Sequence, residues 1–405
     1  AIVMLVLLFF KVPVFIAVLG GSMVYFVMNP GINTVIFAQQ AIIGTEKISL
    51  MAIPFFVCAG IFMNYTGVTK RIMDFCEVVT GRLPGGLAQV NVLLSTVMGG
   101  LSGSNIADAA MESKMMVPEM TKKGFSLEFS SVVTAASSMI TPLIPPGIAM
   151  ILYGCSANVS IGKLFISGFG VGGLLCVSMM ILVGVISKKR GYGLLTTEKL
   201  TWSKFWTALK PAILPLLLPV IIIGGIRIGI FTATEAGAVA ILYAAFLGFI
   251  YHEMHIKDMI QGLQETVCTT ASIMLIVSAA SVFSWILTKE RIPQALTAWM
   301  LANIHSKYVF LTVVNIFLLI VGMFIEGNAS MIILVPLLAP IAAQYGINEF
   351  QFAMIYIFNN AIVALSTPLG TLMFVICSIN KCKTSAFIYE AVPLYFLFII
   401  NLMLL

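Results

Sequence analysis

Long apolar segments recur along the whole chain and constrain its fold more than any other feature. Eleven of them lie near residues 1–28, 48–66, 86–121, 126–154, 162–187, 211–228, 231–251, 266–287, 309–340, 350–380 and 387–405. About 20 apolar residues in a helix span the hydrocarbon core of a bilayer. The strands of a membrane β-barrel are shorter and alternate over about ten residues. The sequence therefore predicts an all-α polytopic membrane protein, in which residues 1–28 form one helix or two short ones.

The charge content supports this class and excludes others. Charged residues make up 9% of the chain, against roughly 25% in soluble domains. This excludes a soluble enzyme, a disordered chain and a nucleic-acid binder. Residues 188–210 carry six of the 22 basic side chains, and we expect them to form a solvated cytoplasmic loop because such loops are enriched in Lys and Arg.

Two apolar segments are too long for one membrane span and too short for two spans with a loop. Residues 86–121 are interrupted by GGLSGSN, and residues 309–340 are interrupted by IEGNAS. Irregular backbone at membrane depth is tolerated only where protein or a water-filled cavity surrounds it. We therefore predict that each segment is a re-entrant helical hairpin that enters and leaves on one face.

The segment after each hairpin contains a helix-breaking motif. Residues 126–154 carry TPLIPPG at positions 141–147, and residues 350–380 carry STPLG at positions 366–370. Proline removes a backbone donor and glycine loosens the backbone. Both helices are therefore predicted to unwind near mid-membrane.

These landmarks recur at one spacing. Asn105 and Asn328 are 223 residues apart, and the two TPL motifs are 226 apart. Such repeats are typical of secondary transporters. We predict a first inverted repeat over 1–187 and a second over 231–405. Residues 188–230 form a cytoplasmic basic linker plus one connecting helix, whose single crossing inverts the second half.

Two hairpin tips and two unwound helices should converge at the membrane midplane and form a binding site. Unpaired carbonyls, hydroxyls and Asn amides suit a hard cation such as Na⁺, and half-helix N-termini suit a carboxylate. We assign to the anionic substrate Ser102, Ser104, Asp108, Pro145 and Gly147. We assign to Na⁺ Gly103, Asn105, Thr141, Pro142, Gly327, Asn328, Ser366, Thr367 and Gly370. Any one of these motifs alone would indicate close helix packing instead.

Several acidic residues lie near these motifs. Glu112, one helical turn after Asp108, is expected to face water or to form an ion pair. Glu326 at the second tip is either a ligand or a cap of the following helix, and Glu235 is expected to stabilise a helix N-terminus. The sequence has no GxxxxGK[ST] motif and no catalytic Ser/His/Asp or HExxH arrangement. We therefore expect a transporter that ATP does not drive directly, and not an enzyme.

Four segments together resemble the large membrane subunit of tripartite ATP-independent periplasmic (TRAP) transporters. They are GGLSGSNIADAA, ITPLIPPGIAMILYG, IIIGGIRIGIFTATEAGAVAILY and the closing TPLG. The resemblance covers essentially the whole chain. It implies Na⁺-driven uptake of an organic acid across a bacterial inner membrane by an elevator movement, in which both hairpins and both broken helices slide against a scaffold. It also implies two partners, a small four-helix membrane subunit and a periplasmic substrate-binding protein.

The chain departs from the family pattern at two places, and two other functions stay open. Many members have a small residue where this chain has Asp108, which leads us to expect sialic acid rather than a C4-dicarboxylate. Many have two prolines where this chain has Pro368-Leu369-Gly370, which affects the second cation site. The alternatives are a stand-alone divalent-anion/sodium symporter that needs no binding protein and a passive channel.

Overall fold

A computed structural model describes residues 2–10, 12–196, 201–366 and 370–405. These residues form nineteen α-helices and two short 3₁₀ helices, and no strand occurs among them. The α-helices are α1 (Ile2–Phe9), α2 (Val14–Met28), α3 (Val35–Ile43), α4 (Ala52–Tyr65), α5 (Val68–Thr80), α6 (Gly86–Ser102), α7 (Asn105–Lys122), α8 (Leu127–Ser137), α9 (Ile148–Ala157), α10 (Ile161–Arg190), α11 (Trp202–Arg227), α12 (Ala233–Tyr251), α13 (Ile256–Lys289), α14 (Ile292–Asn303), α15 (Lys307–Gly322), α16 (Gly327–Gln344), α17 (Glu349–Leu365), α18 (Thr371–Asn380) and α19 (Thr384–Leu404). The 3₁₀ helices are Ile48–Met51 and Ser138–Leu143.

The lengths of these helices confirm the predicted class. Within the described part of the chain, seven helices are long and apolar enough to cross a bilayer. The bent pair Leu127–Leu143 and Ile148–Ala157 adds an eighth crossing if it is one span. Many large apolar side chains are exposed on the outer faces, as on α11 and α13, and in a membrane these faces contact lipid. The chain is an all-α polytopic membrane protein.

The N-terminal region confirms the alternative of two short helices within residues 1–28, and a third short helix follows them. Residues 2–28 form two helices, α1 and α2, which pack against each other. Pro13 precedes α2 at its N-cap position, where a missing backbone donor is tolerated. The short helix α3 lies outside the predicted apolar segments, because Gln39 and Gln40 interrupt its nine residues.

The basic segment 188–210 contains more helix than predicted. Helix α10 continues to Arg190, and α11 already begins at Trp202. The rings of Trp202, Phe205 and Trp206 contact one another on the first turns of α11. Tryptophan is enriched at the membrane–water interface, so these rings give the helix an apolar start before its apolar run. The expectation of a loop over the whole segment is wrong, and part of the remaining connection, 197–200, lies outside the described residues.

The helices of the two predicted repeats pack on each other across the middle of the molecule. Helix α7 packs on α18, α16 packs on α9, and the 3₁₀ helix 138–143 packs on α17. Helices α4, α12 and α13 form a second set of contacts, and α13 also packs on α16. These contacts bring together the interruptions of the four segments 86–121, 126–154, 309–340 and 350–380. The inverted relation of the two halves and the elevator movement remain predictions.

Candidate functional site

The first predicted tip is a two-residue turn between helices α6 and α7. Gly103 lies in the left-handed region at φ +66° and ψ 5°, where a residue without Cβ is favoured. A Cβ added at Gly103 would lie 2.9 Å from the carbonyl oxygen of Pro146. The tip therefore rests directly against the break in the following helix.

The first broken helix unwinds over the predicted motif. Helix α8 ends at Ser137, the chain forms a 3₁₀ turn over Ser138–Leu143, and α9 begins at Ile148. The two helical parts are bent by 42° relative to each other. Gly147, at the N-cap of α9, is extended and provides no side-chain cap. The first N–H groups of α9 are thus left to face a ligand or water.

The helices that follow both tips carry a side-chain cap. The Ser104 hydroxyl accepts a hydrogen bond of 3.5 Å from the backbone N–H of Ala107 at the start of α7, and the cap at the second tip is a carboxylate. The Glu326 carboxylate accepts a hydrogen bond of 3.1 Å from the backbone N–H of Ala329 and so caps α16. This confirms the capping alternative for Glu326. The Asn360 amide of α17 donates to the carbonyl of Gly327 at 2.6 Å. The second tip is therefore attached to the helix that precedes the second break.

The second broken helix is described on both sides of its motif. Helix α17 ends at Leu365, and α18 begins at Thr371 with Gly370 at its N-cap and no side-chain cap. The Ser366 hydroxyl donates to the carbonyl of Val363 at 3.0 Å. Thr367, Pro368 and Leu369 lie outside the described residues, so the structure does not place the predicted ligand Thr367.

Both tips and both broken helices border one cavity of about 340 Å³. The predicted ligands on its wall are Gly103, Ser104, Asn105, Pro142, Gly327 and Asn328. The wall also includes Ile148 and Ala149 in the first turn of α9 and Thr371 in the first turn of α18. Two helix N-termini without side-chain caps therefore border the same space as the two tips.

The other predicted ligands do not line this cavity. Ser102, Asp108, Thr141, Pro145, Gly147 and Gly370 are buried, and Ser366 is half-buried. Asp108 accepts a hydrogen bond of 3.0 Å from the Thr141 hydroxyl, and its other oxygen has no partner among the described residues. This group lies between α7 and the first break, behind the wall that Gly103 and Pro142 form.

The charge of the wall is low. Glu326 is the one ionisable side chain among the described lining residues, and neither Lys nor Arg occurs among them. An anion in this space would have to be balanced by helix ends, hydroxyl and amide donors, or a cation bound with it.

Sequence reasoning missed some of the residues at this site. Asn360 contacts the second tip, and Thr269 of α13 lines the cavity. The Asn359-Asn360 pair within an apolar helix was a usable signal, since polar residues inside membrane segments are often functional. Glu112 was expected to face water or pair, and this is wrong because its side chain is fully buried and forms no ion pair among the described residues. The expectation for Glu235 is confirmed by its capping box with Thr232.

Comparison with known proteins identifies the family of this chain. The model of the DctM component of tripartite ATP-independent periplasmic transporters matches residues 1–405. The sialic acid TRAP transporter large permease protein SiaM of Vibrio cholerae is 37% identical over 389 residues, which are 96% of this chain and 91% of that protein. The C4-dicarboxylate TRAP transporter large permease protein DctM of Pseudomonas aeruginosa is 35% identical over 350 residues, 86% of this chain and 82% of that protein.

A solved structure shares the fold. The YdaH transporter of Alcanivorax borkumensis superposes with a TM-score of 0.63 over 90% of this chain and 86% of that one, at 14% identity. The expectations of a bacterial inner-membrane protein and of a transport protein rather than an enzyme are confirmed. The chain belongs to the family of DctM components, the large permeases of tripartite ATP-independent periplasmic transporters.

Proposed function

We propose that this permease couples the inward flow of Na⁺ to the uptake of an organic acid. The observation that carries the proposal is the single cavity bordered by both tips and by the N-termini of α9 and α18. Such N-termini attract a carboxylate, because their N–H groups are unpaired and the helix dipole is positive there. Unwound carbonyls and Asn side chains at the tips offer the oxygen ligands that a hard cation needs.

The Na⁺ sites are proposed at the tips and breaks. On the first side Asn105 and Pro142 border the cavity, and on the second side Gly327 and Asn328 do so. The wall has no Lys or Arg among its described residues, so a bound cation supplies the positive charge that the organic acid requires. This makes the affinities for Na⁺ and for the acid interdependent.

Sialic acid is the first substrate to test, and a C4-dicarboxylate is the second. The relative named for sialic acid transport aligns over 96% of this chain, and the relative named for C4-dicarboxylates aligns over 86%. Sialic acid and C4-dicarboxylates both bear carboxylates, which fit the helix N-termini at the cavity. We further propose that a periplasmic binding protein delivers the acid, that a small four-helix membrane subunit completes the scaffold, and that the helices around the cavity move as an elevator.

Uptake by purified protein in proteoliposomes tests the proposal. The permease is reconstituted with its small subunit, and labelled sialic acid or succinate is supplied outside with and without the cognate binding protein. Accumulation that requires both an inward Na⁺ gradient and the binding protein is the expected result. Na⁺-driven accumulation without the binding protein would instead indicate a stand-alone symporter. Equilibration independent of any gradient would indicate a passive channel and refute coupling.

A further inference from the structure

Glu112 is a fully buried carboxyl group that the proposed transport site does not use. It lies on α7, four residues after Asp108, which is about 6 Å along a helix axis. The Ser95 hydroxyl lies 2.5 Å from Glu112 Oε2, and the same hydroxyl lies 2.7 Å from the hydroxyl of Ser137. The other carboxyl oxygen, Oε1, is buried and has no hydrogen-bond partner among the described residues.

Among the described residues, no basic side chain forms an ion pair with this carboxyl group. Of the elements packed on α7, helix α6 and the 3₁₀ turn 138–143 carry no ionisable side chain, α8 contributes Glu128, and α18 contributes Cys377. Asp108 and the buried thiol of Cys76 on α5 interact electrostatically with Glu112, and neither can be cationic. On α7 itself, Lys114, Glu119 and Lys122 are the other ionisable residues.

Those residues of α7 do not neutralise Glu112. Lys114 is exposed and only two positions away, a spacing at which helical side chains do not face each other. Lys122 pairs with Glu119 at the exposed end of the helix. An uncompensated buried carboxylate is strongly unfavourable and normally takes up a positive ion or a proton instead.

The spacing of the oxygens around Ser95 fits hydrogen bonds and not a metal cation shared between them. Oxygens that bind one hard cation at 2.3–2.6 Å stand roughly 3.3 Å or more apart when they are at right angles around it. The separations of 2.5 and 2.7 Å around Ser95 are instead hydrogen-bond distances. The Ser95 hydroxyl can donate to Glu112 Oε2, or it can accept from a protonated Glu112 and donate instead to Ser137 or to the carbonyl of Asn91 at 3.1 Å. Ser137 can in turn donate to the carbonyl of Thr134 at 3.1 Å.

We propose that Glu112 is a proton-binding site, distinct from the cavity, which holds its proton in this conformation and exchanges it with water during transport. The exchange rests on the proposed transport function, whereas the bound proton does not. Glu112 lies on the helix that begins at the first tip and packs on α18 and on the first break. A movement of these elements that admitted water would let the carboxyl group release its proton as hydronium and leave Glu112 as a carboxylate.

Infrared spectroscopy tests the bound proton without any transport assay. Spectra of the purified protein in neutral buffer are compared for the unmodified chain, for Glu112→Gln and for Glu119→Gln, a matched control on the exposed part of the same helix. We expect Glu112→Gln to lose a carboxylic-acid C=O band and Glu119→Gln to lose a carboxylate band. Loss of a carboxylate band in Glu112→Gln would overturn the proposal. If that variant does not fold, Ser95→Ala should shift the carboxylic-acid band, and an unshifted band would overturn the assignment.

Proteoliposomes containing a trapped pH dye test the exchange. Protons moved per molecule of organic acid taken up should be lower in Glu112→Gln than in the unmodified chain and unchanged in Glu119→Gln. An equal ratio in all three proteins would refute exchange at Glu112. Absence of uptake in all three would instead refute the proposed transport function, and the infrared result would still decide whether Glu112 holds a proton.

Discussion

Replacing Gly103 by alanine tests the contact between the first tip and the first break. At this position the backbone is left-handed, and a Cβ would lie 2.9 Å from the Pro146 carbonyl oxygen. Backbone atoms cannot rotate away as a flexible side chain can, so the tip and the break must separate. Gly346→Ala is a matched control, since Gly346 has φ +70° and no heavy atom lies within 4 Å of its added Cβ.

The two variants share the energetic cost of a left-handed backbone and differ in the cost of a steric clash. A left-handed backbone costs an alanine about 1–2 kcal/mol, which both variants incur. Overpacking typically adds about 1–3 kcal/mol, and only Gly103→Ala has this contact. If the added cost is expressed at the proposed Na⁺ site next to the tip, the apparent Na⁺ affinity falls by about 5- to 150-fold, since 1.4 kcal/mol is a factor of ten.

The measurement is the Na⁺ concentration for half-maximal uptake in proteoliposomes, with thermal unfolding in detergent as a check on folding. Gly103→Ala should require more Na⁺ than the unmodified chain, and Gly346→Ala should not. The reasoning is refuted if the two variants unfold alike and show the same Na⁺ dependence. That result would mean that the tip does not depend on its contact with the break.

Three further predictions address other parts of the molecule. Asn105→Ala and Asn328→Ala should each lower the apparent Na⁺ affinity in the uptake assay by about tenfold while the fold is kept, as expected for the loss of a polar contact to an ion. An unchanged Na⁺ affinity in both variants would exclude the tips as cation sites. Thr232→Ala removes the capping box of α12 and should lower the free energy of unfolding by about 1 kcal/mol, with uptake unaltered; an unchanged unfolding temperature would contradict this. Arg190 and Glu390 form a partly exposed ion pair with atoms 2.5 Å apart. A double-mutant cycle of unfolding with Arg190→Ala and Glu390→Ala should give a coupling energy of about 1 kcal/mol or less, and a larger value would show that solvent does not screen the pair.

The parts of the fold that sequence predicted are those that local chemistry determines. Glycine at positive φ ends a helix, and the three prolines of TPLIPPG lie within five residues, so the turn at Gly103 and the unwinding before Gly147 were predictable. Prolines spaced four residues apart do not break α11. The start of α11 at Trp202 was missed because aromatic and basic residues at an interface resemble a loop in a hydropathy profile. Helix α3 was missed because nine residues with two glutamines form no span-length pattern.

The candidate site, too, could be predicted only where local sequence determines it. Sequence identified the residues at the tips, because they interrupt apolar segments, but it could not show that Asp108 lies behind the cavity wall. That position depends on the Thr141 hydroxyl, 33 residues further along the chain. Glu112 was expected to face water or to form an ion pair for the same reason, since its burial depends on Ser95 and Ser137 on two other segments. A charged residue in a sequence is exposed by default, and only tertiary contacts reverse that expectation.

The contacts between the halves bear on how binding at one tip could affect the other. Helix α7, which begins at the first tip, packs on α18, which begins at the second break, and α16, which begins at the second tip, packs on α9. Each tip is thus continuous with a helix that packs on the broken helix of the opposite half. Since packed helices shift as discrete units, an ion that ordered one tip would also change the contacts of the helix at the other break. Under the proposed function this predicts reciprocal coupling, in which Na⁺ at one tip raises the affinity for Na⁺ at the other by the same factor in both directions.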